Sequence, residues 1–164
     1  MKKIYMIGGP MGVGKTSVCQ NLKRKLKNSV MLDGDWCWDM NPAKISDKTK
    51  LMVVDNITYL LNNFIKCSAI ENIIFCWVMH QQKIIDDIIS NLHMKNCRIA
   101  KFSLVCDENI LTARLQKDIV NGLRFENAVE KSISYLPLYK NLDTIKIDTS
   151  LKNIEQIVHE IIAS

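Results

Sequence analysis

The sequence predicts a three-layer α/β domain built on a parallel sheet. Five short β-prone apolar runs alternate along the chain with segments of helical periodicity, and a glycine-rich turn joins the first run to the first helical segment. Crossovers between parallel strands are right-handed by the general rule. The 164 residues are enough for one core, and we therefore expect residues 1–164 to form a single domain.

Three strands and two helices are predicted in the first half of the chain. The run 73–79 is apolar throughout, as expected of a central strand covered on both faces. Residues 36–46 contain Asn41 and Pro42 and are expected to be an irregular surface segment leading to Ser46, a helix cap. The predicted elements are strands over 3–7, 29–32 and 73–79, and helices over 15–27 and from 46 to about 68.

The second half continues the alternation of helix and strand. Asp107 is a predicted helix cap, Asn121-Gly122 ends that helix, and Pro137 ends the next one. Ser150 is expected to cap the terminal helix. The predicted elements are helices over 82–92, after 107, over about 125–134 and after 150, with strands over 98–105 and 144–147.

Residues 8–16, Gly-Gly-Pro-Met-Gly-Val-Gly-Lys-Thr, contain the pattern G-x-x-x-x-G-K-[ST], whose backbone N–H groups surround nucleotide phosphates. Glycines at 8, 9, 12 and 14 allow the positive φ angles and close backbone approach that this requires. Lys15 supplies a charge for the β- and γ-phosphates, and Thr16 supplies a hydroxyl for Mg²⁺ at the positive end of the first helix. The residues expected to bind the nucleotide here are Gly9, Met11, Gly12, Val13, Gly14, Lys15, Thr16 and Ser17.

Composition narrows the class of protein. The net charge of +5 is modest, and its one basic cluster, at 23–27, lies where cations offset a helix dipole, so nucleic-acid binding is not favoured. The six cysteines show no C-x-x-C pair, which favours buried reduced thiols over disulfides or zinc. No stretch approaches the roughly 20 apolar residues of a membrane span, and no signal peptide is recognisable. We expect a cytoplasmic protein without a membrane partner.

A carboxylate pair follows the second predicted strand, at Asp33-Gly34-Asp35. Ligands of open α/β sheets gather beyond the carboxyl ends of the strands, so these two side chains are candidates for chemistry. Aspartate and glycine are also favoured turn residues, which is the simpler interpretation. The phosphate-binding pattern upstream favours the functional one.

With these motifs the chain resembles the small P-loop kinases of the nucleoside-monophosphate-kinase fold, including shikimate kinase, gluconate kinase and chloramphenicol phosphotransferase. The resemblance covers nearly all of the chain in layout and includes a basic segment over 111–124. It implies a sheet of order 2-3-1-4-5, ATP with Mg²⁺ on the loop, and transfer of the γ-phosphate to a small molecule. A nucleotide or nucleoside is the favoured acceptor, ahead of a sugar acid or an antibiotic, and the expected state is a monomer or homodimer.

The resemblance also implies roles for individual residues. Asp33 would serve the metal together with Thr16, because the run 73–79 ends in Val78-Met79-His80 and not in a magnesium-linked aspartate. Asp35 would orient the acceptor and take its proton. Gluconate kinase has a similar D-G-D followed by H-P, but Trp36 follows here, so sugar-acid specificity is not carried over.

A lid over about 111–128 would close on ATP and supply positive charge. In this resemblance Arg114 lies against the adenine and Arg124 lies near the phosphates, so that Lys15, Asp35 and Arg124 are the expected catalytic residues. Thr149 belongs to the loop 148–150, whose backbone borders the base.

Several residues and functions stay open at this point. His80 is either an acceptor contact or a structural residue, and Trp36, Trp38 and Trp77 either stack on a base or pack internally. A module that binds ATP or GTP without transferring phosphate is the second hypothesis. GTP is less favoured than ATP, because the sequence has no N-K-x-D segment of the kind that reads guanine. A kinase for nucleic-acid ends, permitted by the charge of +5, is the third.

Overall fold

The computed structural model describes residues 1–164, and its centre is a sheet of five parallel strands. In chain order the strands are β1 (Lys2–Gly8), β2 (Ser29–Asp33), β3 (Asn72–Cys76), β4 (Cys97–Val105) and β5 (Ile145–Asp148). They hydrogen-bond in the order β2-β3-β1-β4-β5. The predicted fold class and the strand order implied by the resemblance are both confirmed.

Six α-helices and two 3₁₀ helices connect or flank the strands. The α-helices are α1 (Lys15–Lys25), α2 (Asp47–Lys66), α3 (Gln82–Ser90), α4 (Glu108–Val120), α5 (Ala128–Tyr135) and α6 (Ile154–Ala163), and the 3₁₀ helices are Gly34–Cys37 and Leu136–Asn141. Ser46 caps α2 in a reciprocal box with Thr49. Asp107 caps α4 by accepting from two backbone N–H groups. Both predicted caps are therefore confirmed.

Alternate residues of β1 enter two apolar cores, one on each face of the sheet. Tyr5 and Ile7 join the core beneath α1, α4 and α6. Ile4 and Met6 join the core beneath α2 and α3. Since helices cover both faces, the carboxyl edge of the sheet is where polar groups from several strands meet solvent. None of the helices is long and apolar enough to cross a membrane.

The predicted strand over 73–79 is too long, because β3 ends at Cys76. Ladder pairing stops there: Cys76 is the last partner of both Ile7 in β1 and Asp33 in β2. The next residues leave the sheet in a tight turn, with Met79 at a φ of 41° and almost fully buried. Apolar composition predicted a strand over the whole run, but residues 77–79 form a partly buried loop.

Two smaller predictions are also corrected, and a third is confirmed. Asn153, not Ser150, caps α6 in a reciprocal box with Gln156, while the Ser150 hydroxyl accepts from the Asp107 N–H. The α-helix before Pro137 ends as predicted, because α5 stops at Tyr135 and the chain continues as the 3₁₀ helix over 136–141, which holds the proline in its first turn. Gly8 lies in β1 and has no positive φ, unlike the glycines at 9, 12 and 14.

Candidate active site

The segment between β1 and α1 forms a loop that only glycine permits at two points. Gly9 has a φ of 152°, and a Cβ there would lie 2.7 Å from the backbone oxygen of Leu104. Gly12 has a φ of 79°, and a Cβ there would lie 2.6 Å from the Leu115 side chain of α4. The loop is therefore held between the β4 backbone and α4, with its conformation fixed before any ligand binds.

Lys15 points back into this loop. Its Nζ donates to the carbonyl oxygens of Gly9 at 2.8 Å and Pro10 at 2.9 Å. Burial lowers the pKa of Lys15, and the charges of Asp35 and Asp33 partly offset that effect. The ammonium is thus already placed where the loop would surround a phosphate, and it would exchange two neutral acceptors for a charged one.

Thr16 and Asp33, the predicted metal pair, lie next to each other. The Thr16 hydroxyl donates to Asp33 Oδ2 at 3.2 Å, and Asp33 is mostly buried. Hydroxyl and carboxylate oxygens suit Mg²⁺, which usually keeps several waters and takes further ligands from phosphates. Consistent with that mode, no group of three or more acidic, histidine or cysteine side chains converges in the chain. The residues present fit a magnesium ion that is completed by nucleotide and water.

Asp35 lies beside this pair and is fixed by two neighbours. Its backbone N–H donates to Asp33 Oδ1 at 3.1 Å. Its own Oδ1 accepts from the Trp77 indole N–H at 3.0 Å. The Trp77 ring covers Gly34, where a Cβ would lie 2.5 Å from the ring, and the Trp38 ring meets Trp77 edge-on at 5.8 Å. Asp35 Oδ2 has no hydrogen-bond partner.

Sequence reasoning missed the contact between Trp77 and Asp35. Trp77 falls in the apolar run that predicts a strand, and a strand residue at that position would have pointed into one of the cores. The length of the apolar run could have indicated this, because the seven residues from 73 to 79 are more than the five of β2, the strand that pairs with β3. The excess residues form the turn that aims Trp77 at Asp35.

Arg114 and Thr149 lie together on the far side of the loop. The Arg114 guanidinium donates to the Thr149 hydroxyl at 3.2 Å and to its carbonyl at 2.9 Å. Thr149 is nearly fully buried, and its N–H donates to Val105 at the end of β4. This contact joins α4 to the β5–α6 connection, where the resemblance implies an adenine site.

Residues 111–128, the predicted lid, comprise most of α4 and its connection to α5. Residues 108–120 form α4, whose Leu111 and Leu115 pack against Gly12, so within the predicted span 111–128 only residues 121–127 connect two helices. Arg124 Nε pairs with Asp118 Oδ2 at 2.9 Å and makes no hydrogen bond to the loop. The structure therefore does not bring Arg124 to Lys15 and Asp35.

His80 follows β3 at the same edge of the sheet. Its ring stacks on Tyr135 of α5 with 4.1 Å between centroids and an angle of 8°. Its Nδ1 is buried without a hydrogen-bond partner. Burial, followed by the charge of Lys131, lowers the pKa of His80. His80 is therefore a neutral, aromatic part of this edge at neutral pH.

The loop, the sheet order and the polar groups at the carboxyl edge define a P-loop protein with a fold like that of the nucleoside-monophosphate kinases. Residues 6–133 match the family model described as an AAA domain. The chain belongs to this family.

Several solved structures share the fold. A gluconokinase from Sinorhizobium meliloti 1021 has a TM-score of 0.71 at 16% identity, over 99% of this chain and 90% of that one. The tunicamycin resistance protein of Deinococcus radiodurans has a TM-score of 0.66 at 20% identity, over 99% of this chain and 95% of that one. Shikimate kinase from Acinetobacter baumannii, in complex with shikimate, has a TM-score of 0.62 at 22% identity, over 99% of this chain and 91% of that one. The comparison with curated proteins gives no match.

Proposed function

We propose that the protein is an ATP-dependent phosphotransferase that moves the γ-phosphate to a small-molecule acceptor, a nucleotide or nucleoside. The observation that carries this proposal is the chain of contacts from Thr16 through Asp33 to Asp35. It puts a carboxylate with a free oxygen beside the groups suited to metal and phosphate. Two of the proteins with a similar fold are named as kinases, which supports the same class.

The contacts assign each group a separate role in the proposed reaction. Loop amides and Lys15 would hold the β- and γ-phosphates, and Arg114 with Thr149 would border the base. Thr16 and Asp33 would hold Mg²⁺, which when bound neutralises charge on the phosphate oxygens. Arg124 would contact the phosphates only after leaving Asp118.

Asp35 would act on the acceptor. Trp77 occupies Oδ1 of Asp35 and leaves Oδ2 to accept the acceptor proton. The acceptor oxygen then attacks the γ-phosphorus, the bond to the β–γ bridging oxygen breaks, and ADP leaves. Much of the rate enhancement in phosphoryl transfer comes from positioning the acceptor against the γ-phosphate, and a carboxylate that is held in place can do this.

The test is ADP formation by the purified chain with ATP and Mg²⁺ across a panel of acceptors. The panel contains nucleosides, nucleoside monophosphates, sugar acids, aminocyclitol and nucleoside antibiotics, and an oligonucleotide with a free 5′-hydroxyl. We expect one class of small molecule to stimulate ADP formation, with phosphate found on that compound. Tight ATP binding without stimulation by any compound would contradict transfer and favour a nucleotide-sensing module.

A further inference from the structure

The acceptor side of Asp35 lacks arginine. The four arginines of the chain lie elsewhere: Arg24 is in the last turn of α1, Arg98 is near the start of β4 at the opposite edge of the sheet, Arg114 is bound to Thr149, and Arg124 is paired with Asp118. The two segments that flank Asp35 are residues 33–43 after β2 and residues 72–82 through β3. Together they contain three aspartates and neither lysine nor arginine.

The charge of Lys15 acts on Asp35, but the Lys15 ammonium points into the phosphate-binding loop. Two lysines of the helices that follow the flanking segments are paired with aspartates. Lys83, at the start of α3, pairs with Asp87 at 2.7 Å, and Lys50 lies 3.7 Å from Asp47. Lys131 of α5 lies 6.0 Å from the centre of the Tyr135 ring, on which His80 stacks. An acceptor with a phosphate or carboxylate would meet Asp35 without an arginine to bind it. Since arginine is the usual bidentate partner of phosphates and carboxylates in proteins, such an acceptor is disfavoured.

The same place is rich in flat apolar surface. Trp38 and Trp77 meet there and pack in part against the core beneath α2 and α3, and Trp36 follows Asp35 directly in the chain. We call Trp36, Trp38 and Trp77 the aromatic wall. Trp36 is 57% exposed although it is a large apolar side chain. Aromatic walls of this kind bind flat rings by stacking, whichever base the ring belongs to.

Resting on the proposed function, we propose that the acceptor is a nucleoside, an uncharged alcohol with a flat ring. The ring packs against the aromatic wall, and the hydroxyl donates to Asp35 Oδ2. In the transfer step the hydroxyl oxygen forms a bond to the γ-phosphorus, the bond to the bridging oxygen breaks, and the proton passes to Asp35. The products are ADP and a nucleoside phosphate monoester.

Comparing each nucleoside with its own 5′-monophosphate tests whether the acceptor is uncharged. The full chain is given ATP and Mg²⁺ with each ribonucleoside and 2′-deoxynucleoside, with the corresponding 5′-monophosphate, and with gluconate and shikimate as carboxylates. Phosphorus NMR identifies the product. We expect kcat/KM for the best nucleoside to exceed that for its 5′-monophosphate by about 100-fold, because the monophosphate meets the Asp35 carboxylate and no arginine.

The outcomes separate this inference from the proposed function. Equal or faster turnover of a monophosphate, gluconate or shikimate would overturn the nucleoside assignment and support phosphoryl transfer. A chain that binds ATP and transfers phosphate to no compound would overturn both.

Variants of the aromatic wall test the contact itself. Trp77→Phe keeps the ring and removes the N–H that holds Asp35, so kcat should fall about 10-fold with little change in the KM for nucleoside. Trp38→Leu removes a ring, so the KM should rise about 10-fold with little change in kcat. Tyr59→Leu, at an exposed aromatic residue of α2 outside the wall, is the control and should change neither.

An unchanged affinity for nucleoside in the Trp38→Leu variant would overturn the inference, provided that near-ultraviolet circular dichroism shows the variant to be folded. Tryptophan fluorescence provides an independent readout, because every tryptophan of the chain belongs to the wall. Nucleoside added to the complex with a non-hydrolysable ATP analogue should change the emission, and an unchanged emission would also count against the wall.

Discussion

Asp35→Asn is expected to lower the rate of phosphoryl transfer by about 10³-fold while leaving the affinity for ATP nearly unchanged. The amide keeps the size of the carboxylate, and its oxygen can still accept from the Trp77 indole, but it cannot take a proton from the acceptor. Asp35 makes no hydrogen bond to residues 8–17, so the nucleotide site should be intact. Single-turnover kinetics and an ATP titration measure the two effects separately.

Asp39→Asn is the matched control for this substitution. Asp39 is exposed in the same connection between β2 and α2 and has no partner in the site. It should leave both the transfer rate and ATP binding unchanged. Equal rates for the Asp35→Asn variant and the original chain would remove Asp35 from the chemistry.

Gly9→Ala is expected to weaken ATP binding by about 100-fold or more, because a side chain at this φ stores up to about 3 kcal/mol of strain. The added Cβ would also lie 2.7 Å from a backbone oxygen of β4, which cannot move without disturbing the sheet. The loop must therefore change shape, and the ring of amides opens. Isothermal titration with Mg-ATP gives the loss directly.

Gly8→Ala provides the comparison one residue away. A Cβ at Gly8 would meet its nearest atoms at 3.6 Å, an ordinary contact, and the φ is not restricted to glycine. This variant should bind ATP about as well as the original chain. Similar losses in the two variants would show that the effect comes from general destabilisation and not from the conformation of the loop.

The sheet and the loop were predictable because their signals are local. Each strand is a short apolar run bounded by polar residues, and the loop has a fixed spacing that sets which residues must be glycine. The contact between Thr16 and Asp33 also follows, since β2 and the start of α1 both lie at the carboxyl edge of the sheet. The strand order came from the resemblance, not from these signals.

The errors arose where tertiary contacts outweigh local pattern. The turn over 77–80 is apolar because it is buried between β1 and the 3₁₀ helix over 136–141, where the Tyr139 hydroxyl donates to the Val78 carbonyl. Composition cannot distinguish such a turn from a strand. The role of Arg124 stays a prediction, because its ion pair with Asp118 depends on how α4 ends at Asn121, which local pattern does not specify.

The central claim is that residues 9–16 enclose the phosphates of ATP around Lys15. The most direct measurement is calorimetric titration of Mg-ATP into the original chain and into Lys15→Ala, with circular dichroism to show that both are folded. We expect the original chain to bind and the variant to lose about 100-fold in affinity, since a charge-assisted contact inside the loop is removed. An original chain that does not bind ATP, or a variant that binds it equally well, would contradict the account.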